Sequence, residues 1–256
     1  MHSVTFEKGA MKKSMHSIIV ILISAMMNVA FAAPDAKSIL EQSDRARGGG
    51  LPGIVWEITL KSRDGDKIDE PQRLLVKAVD DASVAETLEP SRFKGSKLLQ
   101  VGRNMWLTRP GLSKPIPISP RQRMSGQASN GDIAATNYAK DYEAQLGPEE
   151  AVDGEPCHRL DLKAKHNRAT YDKVRYWVSV KRNVGVKAEF FSVSGKLLKT
   201  AHFDYGNTIQ YDSQRIPFIS KMIISDALAD AETVMEFGAV TVNKISASEF
   251  DLGQLQ

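Results

Sequence analysis

The sequence contains a single cysteine among 256 residues, so an internal disulfide and a cysteine-rich zinc site are both excluded. It also lacks a strong excess of either charge, because 34 Lys and Arg stand against 31 Asp and Glu, a formal net charge of +3. This charge is too small to indicate a nucleic-acid partner. With 42% hydrophobic and 25% charged residues, the composition is typical of a globular protein with a core, not of a disordered chain.

Motifs for catalysis and cofactor binding are missing as well. The sequence has no Gly-x-Ser-x-Gly elbow, and Gly48–Gly50 is not followed by the Lys or Ser/Thr of a phosphate-binding loop. Cys157 and His158 are adjacent, and adjacent residues of a strand point to opposite faces, so they do not form a nucleophilic pair. The histidines show no metal-ligand spacing. We therefore expect neither an enzyme nor a metal or cofactor site.

The one long apolar run lies at the N-terminus. Lys12 and Lys13 precede an apolar stretch that ends near Val29, and Ala32 completes a motif of small residues. This pattern predicts a secretory signal peptide over residues 1–32, cleaved after Ala32, because the run is shorter than the ~20 residues of a membrane span. We therefore expect a periplasmic protein.

Two further points follow from this leader. Both Met1 and Met11 are suitable starts, because the first ten residues add nothing that a signal peptide needs. Cleavage would also remove three lysines and one glutamate, which leaves 31 basic and 30 acidic residues, a net charge of +1. No acidic or basic macromolecule is indicated as a partner.

Short runs of alternating apolar and polar residues dominate the rest of the sequence and predict β-strands. The predicted strands are 54–60, 73–79, 83–88, 97–101, 104–109, 158–162, 174–180, 184–193, 197–205, 216–226 and 232–242. Helical spacing predicts a helix over 36–47 and a loose, thinly apolar helix over about 131–146. The regular spacing of the strands indicates one continuous antiparallel sheet, so residues 33–256 are predicted to be a single β-rich α+β domain.

A sheet of about ten strands twists and curls, and its apolar face must be covered. Here the covering material is limited to the first helix and the segment 120–146. The pattern alone leaves two alternatives open: an apolar cavity under the cover, or a dry core filled by the two helices.

Several ordered motifs resemble the LolA-like family of outer-membrane lipoprotein-sorting proteins, in its broad transporter-associated branch. The motifs are Met105-Trp106-Leu107, Arg109-Pro110, Pro120-Arg121-Gln122-Arg123, Asn130-Gly131-Asp132-Ile133, Asp153-Gly154, Cys157-His158-Arg159-Leu160, Tyr176-Trp177-Val178, Ser194-Gly195-Lys196-Leu197-Leu198-Lys199, and the ending from Phe237 through Asn243, Ile245, Phe250 and Leu252. Each motif is weak alone, but they cover nearly the whole domain in the expected order.

The resemblance implies a curled antiparallel sheet that forms a half-open barrel, with helices covering an apolar cavity for acyl chains. It implies a periplasmic carrier or chaperone that transfers lipid or lipoprotein between membranes. The expected partners are acyl chains, an inner-membrane transporter and an outer-membrane acceptor, and nothing requires more than a monomer. The alternative is a periplasmic sensor or accessory module that docks on a membrane transporter without carrying cargo.

Strand alternation and the segment 120–146 supply the candidate ligand-binding residues, although each is also a reasonable core residue. The predicted groove lining is Trp56, Ile58, Leu60, Met105, Leu107, Met124, Tyr138, Val186, Phe190, Met222 and Ile224. Arg109, Arg121 and Arg123 are candidates for rim contacts with a phosphate or a partner, the other interpretation being solvated surface charge.

Overall fold

The computed structural model describes residues 1–3, 35–134 and 137–254. The chain divides into two units, Met1–Ala33 and Pro34–Gln256, and every described helix and strand belongs to the second. Most of the predicted signal peptide lies outside the described residues. Among the described helices, none has the length and apolarity needed to cross a bilayer.

Helices contribute little to the described part of the chain. The α-helices are α1 (Ala36–Asp44), α2 (Asn130–Ala134) and α3 (Tyr138–Asp141), and the 3₁₀ helices are Arg45–Arg47, Ser91–Phe93, Ala247–Phe250 and Leu252–Gln254. The predicted first helix is confirmed. It begins at the N-cap Asp35, whose carboxylate accepts a hydrogen bond of 2.9 Å from the Ser38 backbone N–H.

Strands make up most of the remaining structure. In chain order they are β1 (Ile54–Asp64), β2 (Lys67–Ile68), β3 (Gln72–Ala78), β4 (Ala82–Glu89), β5 (Lys97–Val101), β6 (Asn104–Thr108), β7 (Ile116–Ile118), β8 (Arg123–Ser125), β9 (Ala128–Ser129), β10 (Tyr142–Val152), β11 (Glu155–Ala164), β12 (Lys173–Ser179), β13 (Gly185–Phe191), β14 (Leu197–Asp204), β15 (Asn207–Tyr211), β16 (Gln214–Phe218), β17 (Lys221–Asp226), β18 (Ala231–Phe237) and β19 (Thr241–Val242).

One antiparallel sheet of 15 strands organises the fold, as predicted. Its order is β10-β11-β12-β13-β14-β17-β18-β1-β3-β4-β5-β6-β7, with β2 and β19 paired to β1, while β8–β9 and β15–β16 form separate hairpins. Within the described residues, β10 and β7 end this order without pairing to each other, so the sheet is open.

The central strand β1 shows how the sequence produces this arrangement. Ile54, Trp56, Ile58 and Leu60 alternate with more exposed residues and are each at most 3% exposed. They belong to the main hydrophobic core, which also receives side chains from α1, α2 and α3. We call the sheet face that carries this core the inner face. On the outer face, Phe250 packs against β4 and β5 in a smaller cluster.

The predicted helix over 131–146 is wrong in its second half. Residues from Tyr142 onward form β10, which pairs with β11, and only the short helices α2 and α3 precede it. Tyr142 opposes Ala164, and Ala144 opposes Leu162 across the two strands. The polar, weakly periodic sequence gave no clear signal for a strand here, and pairing with a neighbouring strand decided the outcome.

Candidate functional site

Most of the predicted lining residues are packed inside the protein. Eight of them belong to the main core and are at most 4% exposed: Trp56, Ile58, Leu60, Met105, Tyr138, Phe190, Met222 and Ile224. Val186 lies in a smaller cluster with Cys157 and Trp177. Leu107 and Met124 are half-buried, and these two residues line an open cleft. The inner face is therefore largely filled by its own side chains.

The cleft beside this core has a volume of about 340 Å³. Its apolar lining consists of Phe93, Leu98, Leu107, Ile118 and Met124. The neutral polar residues around them are Gln72, Thr87, Ser96, Gln122 and Asn130, and Arg109 and Arg123 are the charged ones. Small-molecule sites combine apolar side chains with polar groups that orient the ligand, and this cleft contains both kinds. The cleft therefore brings together four of the residues predicted for the groove and its rim.

Strand alternation forms one wall of the cleft. Leu98 of β5 and Leu107 of β6 are direct partners across the strand pair and face inward, whereas their neighbours Leu99 and Trp106 belong to the outer-face cluster. Phe93, Leu98 and Ile118 were missed by the sequence analysis. The partner position of Leu98, opposite Leu107 in a predicted hairpin, was the available signal for that residue.

The opposite wall is the hairpin β8–β9, which we call the cover hairpin (Arg123–Ser129). It is held to the inner face by polar bonds that are themselves buried. The Gln127 backbone N–H donates to Thr233 Oγ1 at 2.7 Å, and Thr233 Oγ1 lies 3.0 Å from Ser62 Oγ. A Cβ on Gly126 would lie 2.3 Å from both hydroxyl oxygens, so glycine allows this close approach.

A buried lysine adds a second attachment for the cover hairpin. Lys199 Nζ donates to the Gln127 carbonyl and, at 3.0 Å, to Ser129 Oγ. The side chain is 6% exposed, and burial lowers its pKa. Asp132, the nearby acid, accepts from the Ser129 backbone N–H at 2.8 Å and from the Tyr171 hydroxyl at 2.7 Å. Ala128 of the hairpin also belongs to the main core and Met124 packs against it, so buried hydrogen bonds and apolar contact both hold the hairpin.

The helices α1 and α3 are joined by a buried carboxylate. Asp44 Oδ2 accepts a hydrogen bond of 2.8 Å from the Ala139 backbone N–H, and Asp44 is 2% exposed. Burial raises the pKa of Asp44 to about 7. The Arg47 guanidinium lies 4.2 Å from the centre of the Tyr138 ring, which is also buried at this junction.

The three predicted rim arginines have different environments. Arg109 and Arg123 line the cleft, and Arg123 Nη2 lies 3.3 Å from Asp226 Oδ2. Arg121 is not among the cleft residues. Its guanidinium bonds Asp172 Oδ1 at 2.7 Å and the Ala169 carbonyl at 3.0 Å, so it fixes the chain before the cover hairpin to the loop between β11 and β12.

The residues considered for catalysis have structural environments. Cys157 is fully buried, and burial raises the pKa of its thiol, so a smaller fraction of it is the reactive thiolate. His158 Nδ1 lies 3.3 Å from a Glu149 carboxylate oxygen on the neighbouring strand. Among the described residues, no group of three or more His, Cys, Asp or Glu side chains is arranged to hold a metal ion.

Replacing Thr233 with valine should loosen the cover hairpin. Thr233→Val keeps the side-chain shape but leaves the buried Gln127 N–H without its acceptor, so we expect a loss of about 1–3 kcal/mol in the free energy of unfolding. Urea denaturation measures this loss, and hydrogen exchange should show faster exchange of the Gln127 amide. The control is Thr208→Val, at an exposed threonine. Equal stability of the two variants would contradict the role of Thr233.

Asp44 should make the folded protein less stable as the pH rises. Its folded pKa of about 7 exceeds the ordinary value of 3.8, so the folded protein holds a proton that the unfolded chain has released. The stabilisation that this bound proton gives the folded state is complete below the unfolded pKa and is lost as the pH rises through the folded pKa. Between these two pKa values, the free energy of unfolding of the wild type should fall by up to ~1.4 kcal/mol per pH unit relative to that of Asp44→Asn.

Urea denaturation at several pH values measures this difference between the two proteins. Asparagine at position 44 retains an acceptor for the Ala139 N–H and does not ionise in this range. The control is Asp66→Asn, at an exposed turn, which should follow the wild-type profile. Parallel profiles for the wild type and Asp44→Asn would show that Asp44 ionises normally.

The sequence and the fold were compared with those of known proteins. A family model described as "Uncharacterized protein" matches residues 79–256. A LolA superfamily protein from Nitrosomonas europaea is similar in structure, with 31% identity, a TM-score of 0.77, and coverage of 86% of this chain and 98% of that chain. No curated protein matches the sequence.

Two more distant structures share the fold. A DUF1329 family protein from Desulfovibrio piger has 20% identity and a TM-score of 0.72, with coverage of 88% of this chain and 100% of that chain. An outer-membrane lipoprotein-sorting protein domain from Vibrio parahaemolyticus has 17% identity and a TM-score of 0.72, with coverage of 86% and 97%. Because the Nitrosomonas europaea match spans most of both chains at 31% identity, the family resemblance seen in the sequence is confirmed. The chain belongs to the LolA superfamily.

Proposed function

We propose that this protein is a periplasmic carrier or chaperone that holds an acyl chain of a lipid or lipoprotein for transfer between membranes. The observation that carries the proposal is the cleft of about 340 Å³, whose apolar lining lies between the sheet and the cover hairpin. Membership of the LolA superfamily supports the proposal, as does the fold shared with a lipoprotein-sorting domain. A carrier of this kind binds its cargo without catalysis.

The energetics of acyl binding suit a cleft with a detachable wall. Each buried methylene contributes ~0.8 kcal/mol, so about ten of them contribute on the order of 8 kcal/mol before the costs of ordering. Spontaneous release would then be slow unless the lining opens. The cover hairpin is attached by a small set of hydrogen bonds and by the packing of Ala128 and Met124, so its displacement would expose the cleft while the strand pairing of the sheet stays intact.

We further propose that the sheet has the half-open barrel shape of a lipid-binding sleeve. Support comes from a hydrogen bond between Arg168, in the loop between β11 and β12, and Asn104 of β6. These elements lie near opposite ends of the strand order. A sheet that brings its two ends into contact while leaving its edge strands unpaired is bent and open. Such a shape would leave room beside the filled core for an acyl chain.

One observation favours the second candidate, an accessory module that docks on a membrane transporter. Ile68, Val193 and Leu228 are exposed by 80%, 71% and 76%. Val193 and Leu228 lie in the turns after β13 and β17, and Ile68 ends the short strand β2, which follows the turn after β1 at the same end of the sheet. Backbone hydrogen bonds join these turns, from Gly65 N–H to the Asp230 carbonyl and from Ala227 N–H to the Leu198 carbonyl. Exposed apolar groups of this kind mark contact surfaces.

A transfer assay distinguishes the two functions. A carrier moves labelled lipid from donor to acceptor vesicles, and the rate rises with protein concentration. An accessory module retains lipid but does not increase transfer. Transfer that remains at the rate without protein, although lipid binds, would favour the accessory module over the carrier.

Replacing Leu107 with aspartate should remove bound acyl chains. Leu107 is half-buried at the cleft, so a charge there opposes a hydrocarbon chain while the core beneath stays packed. Mass spectrometry of organic extracts from natively purified protein should find acyl species in the wild type and at least tenfold less in Leu107→Asp.

The matched control is Leu146→Asp, at a residue 47% exposed on β10 and outside the cleft lining. It should retain acyl species at the wild-type level. Circular dichroism establishes that both variants are folded. Equal lipid content in the wild type and a folded Leu107→Asp variant would exclude the cleft as the binding site, and repeated absence of acyl species from the wild type would count against a lipid carrier.

A further inference from the structure

The charge around the cleft has one sign. Its described lining contains two arginines, Arg109 and Arg123, and no carboxylate. Both arginines line the cleft together with Leu107 and Met124, to which they are close in the chain. A neutral hydrocarbon needs no such charge. The arrangement matches a molecule with an apolar chain and an anionic end.

The two arginines differ in the contacts that their guanidinium groups already make within the protein. Arg123 lies 3.3 Å from Asp226, whose carboxylate also accepts backbone hydrogen bonds from Leu228 and Ala229 at 2.9 and 3.1 Å. The Arg109 side chain is exposed, and its guanidinium forms no hydrogen bond or ion pair with another described residue. Its planar guanidinium can therefore donate two parallel hydrogen bonds to a phosphate or carboxylate group.

The size of the cleft limits the apolar part of the ligand. A volume of about 340 Å³ lies near the lower end of small-molecule sites, which begin at about 300 Å³. Expansion inward is opposed by Leu98 and Met105, which are 2% and 3% exposed in the core. Expansion on the other side is opposed by the cover hairpin, which Thr233 and Lys199 hold in place. The space therefore suits one chain, not two or three.

We propose that the cleft binds a single-chain anionic amphiphile, with its alkyl chain between β5–β6 and the cover hairpin and its anionic group on Arg109, assisted by Arg123. This inference rests on the proposed function, because it specifies the ligand of the same cleft. Arg109 is the residue that selects the anionic group. The apolar lining alone would bind a neutral chain of the same length.

Binding of two matched probes to the full mature chain tests the proposal. Dodecyl phosphate and dodecanol have the same alkyl chain and differ in the anionic group, and isothermal titration calorimetry below their aggregation concentrations gives affinity and stoichiometry. We expect one dodecyl phosphate per chain, bound at least tenfold more tightly than dodecanol. Arg109→Gln should weaken dodecyl phosphate about tenfold and leave dodecanol unchanged, while Arg109→Lys should retain part of the preference.

The control variant is Arg103→Gln, which removes an exposed arginine that does not line this cleft. It should bind both probes as the wild type does. An unchanged ratio of the two affinities in Arg109→Gln would overturn the role of Arg109. Equal weakening by Arg103→Gln would show a general effect of net charge instead and would overturn it as well.

Four other outcomes would each contradict a different part of the proposal. If phosphatidate, a diacyl lipid, binds as tightly as dodecyl phosphate, the single-chain assignment is overturned. Inorganic phosphate that displaces dodecyl phosphate at equal concentration would show a free-anion site, which also overturns the proposal. If neither probe binds the wild type, acyl binding in the cleft fails with the proposed function itself, whereas binding of both probes without preference preserves that function and contradicts only this inference.

Discussion

The constraint on which the structure depends is the burial of one apolar face of a single large sheet. Alternation along β1 directs Ile54, Trp56, Ile58 and Leu60 to the same side, and the neighbouring strands continue this surface. The chain has few helices with which to cover it. The face is therefore buried largely by its own side chains, together with short helices and a hairpin, and the incomplete cover leaves a cleft at the β5–β6 side.

The cover is attached by buried hydrogen bonds in addition to apolar packing. Ala128 of the cover hairpin and Tyr138 of α3 belong to the main core, and Thr233 and Lys199 bond the hairpin while Asp44 bonds α3. A buried hydrogen bond is directional and is lost at once when its geometry is broken. Loss of these few bonds would weaken the attachment of the cover while the strand pairing of the sheet stays in place.

The distribution of polar groups gives the cleft its chemical character. Beneath the cover hairpin, Ser62 and Thr233 of the inner face bond each other, and the carboxylate of Asp132 in α2 is satisfied by Ser129 and Tyr171, so these groups offer little to an external ion. The cleft mouth instead presents Arg109 and Arg123 beside apolar side chains. Apolar contact would supply most of the binding free energy, and the guanidinium groups would supply selectivity, as in other sites where a few polar groups orient a hydrophobic ligand.

Local alternation and spacing were enough to predict most strands of the large sheet, the first helix and the antiparallel character of the sheet. It also indicated Leu107, Met124, Arg109 and Arg123, which the structure brings to one cleft. That Trp56 and Phe190 lie in a filled core could be seen only in the folded chain, since alternation gives the face of a side chain and not what lies opposite it. The strand at Tyr142 and the roles of Lys199 and Thr233 were likewise decided by partners distant in the sequence, which no local pattern contains.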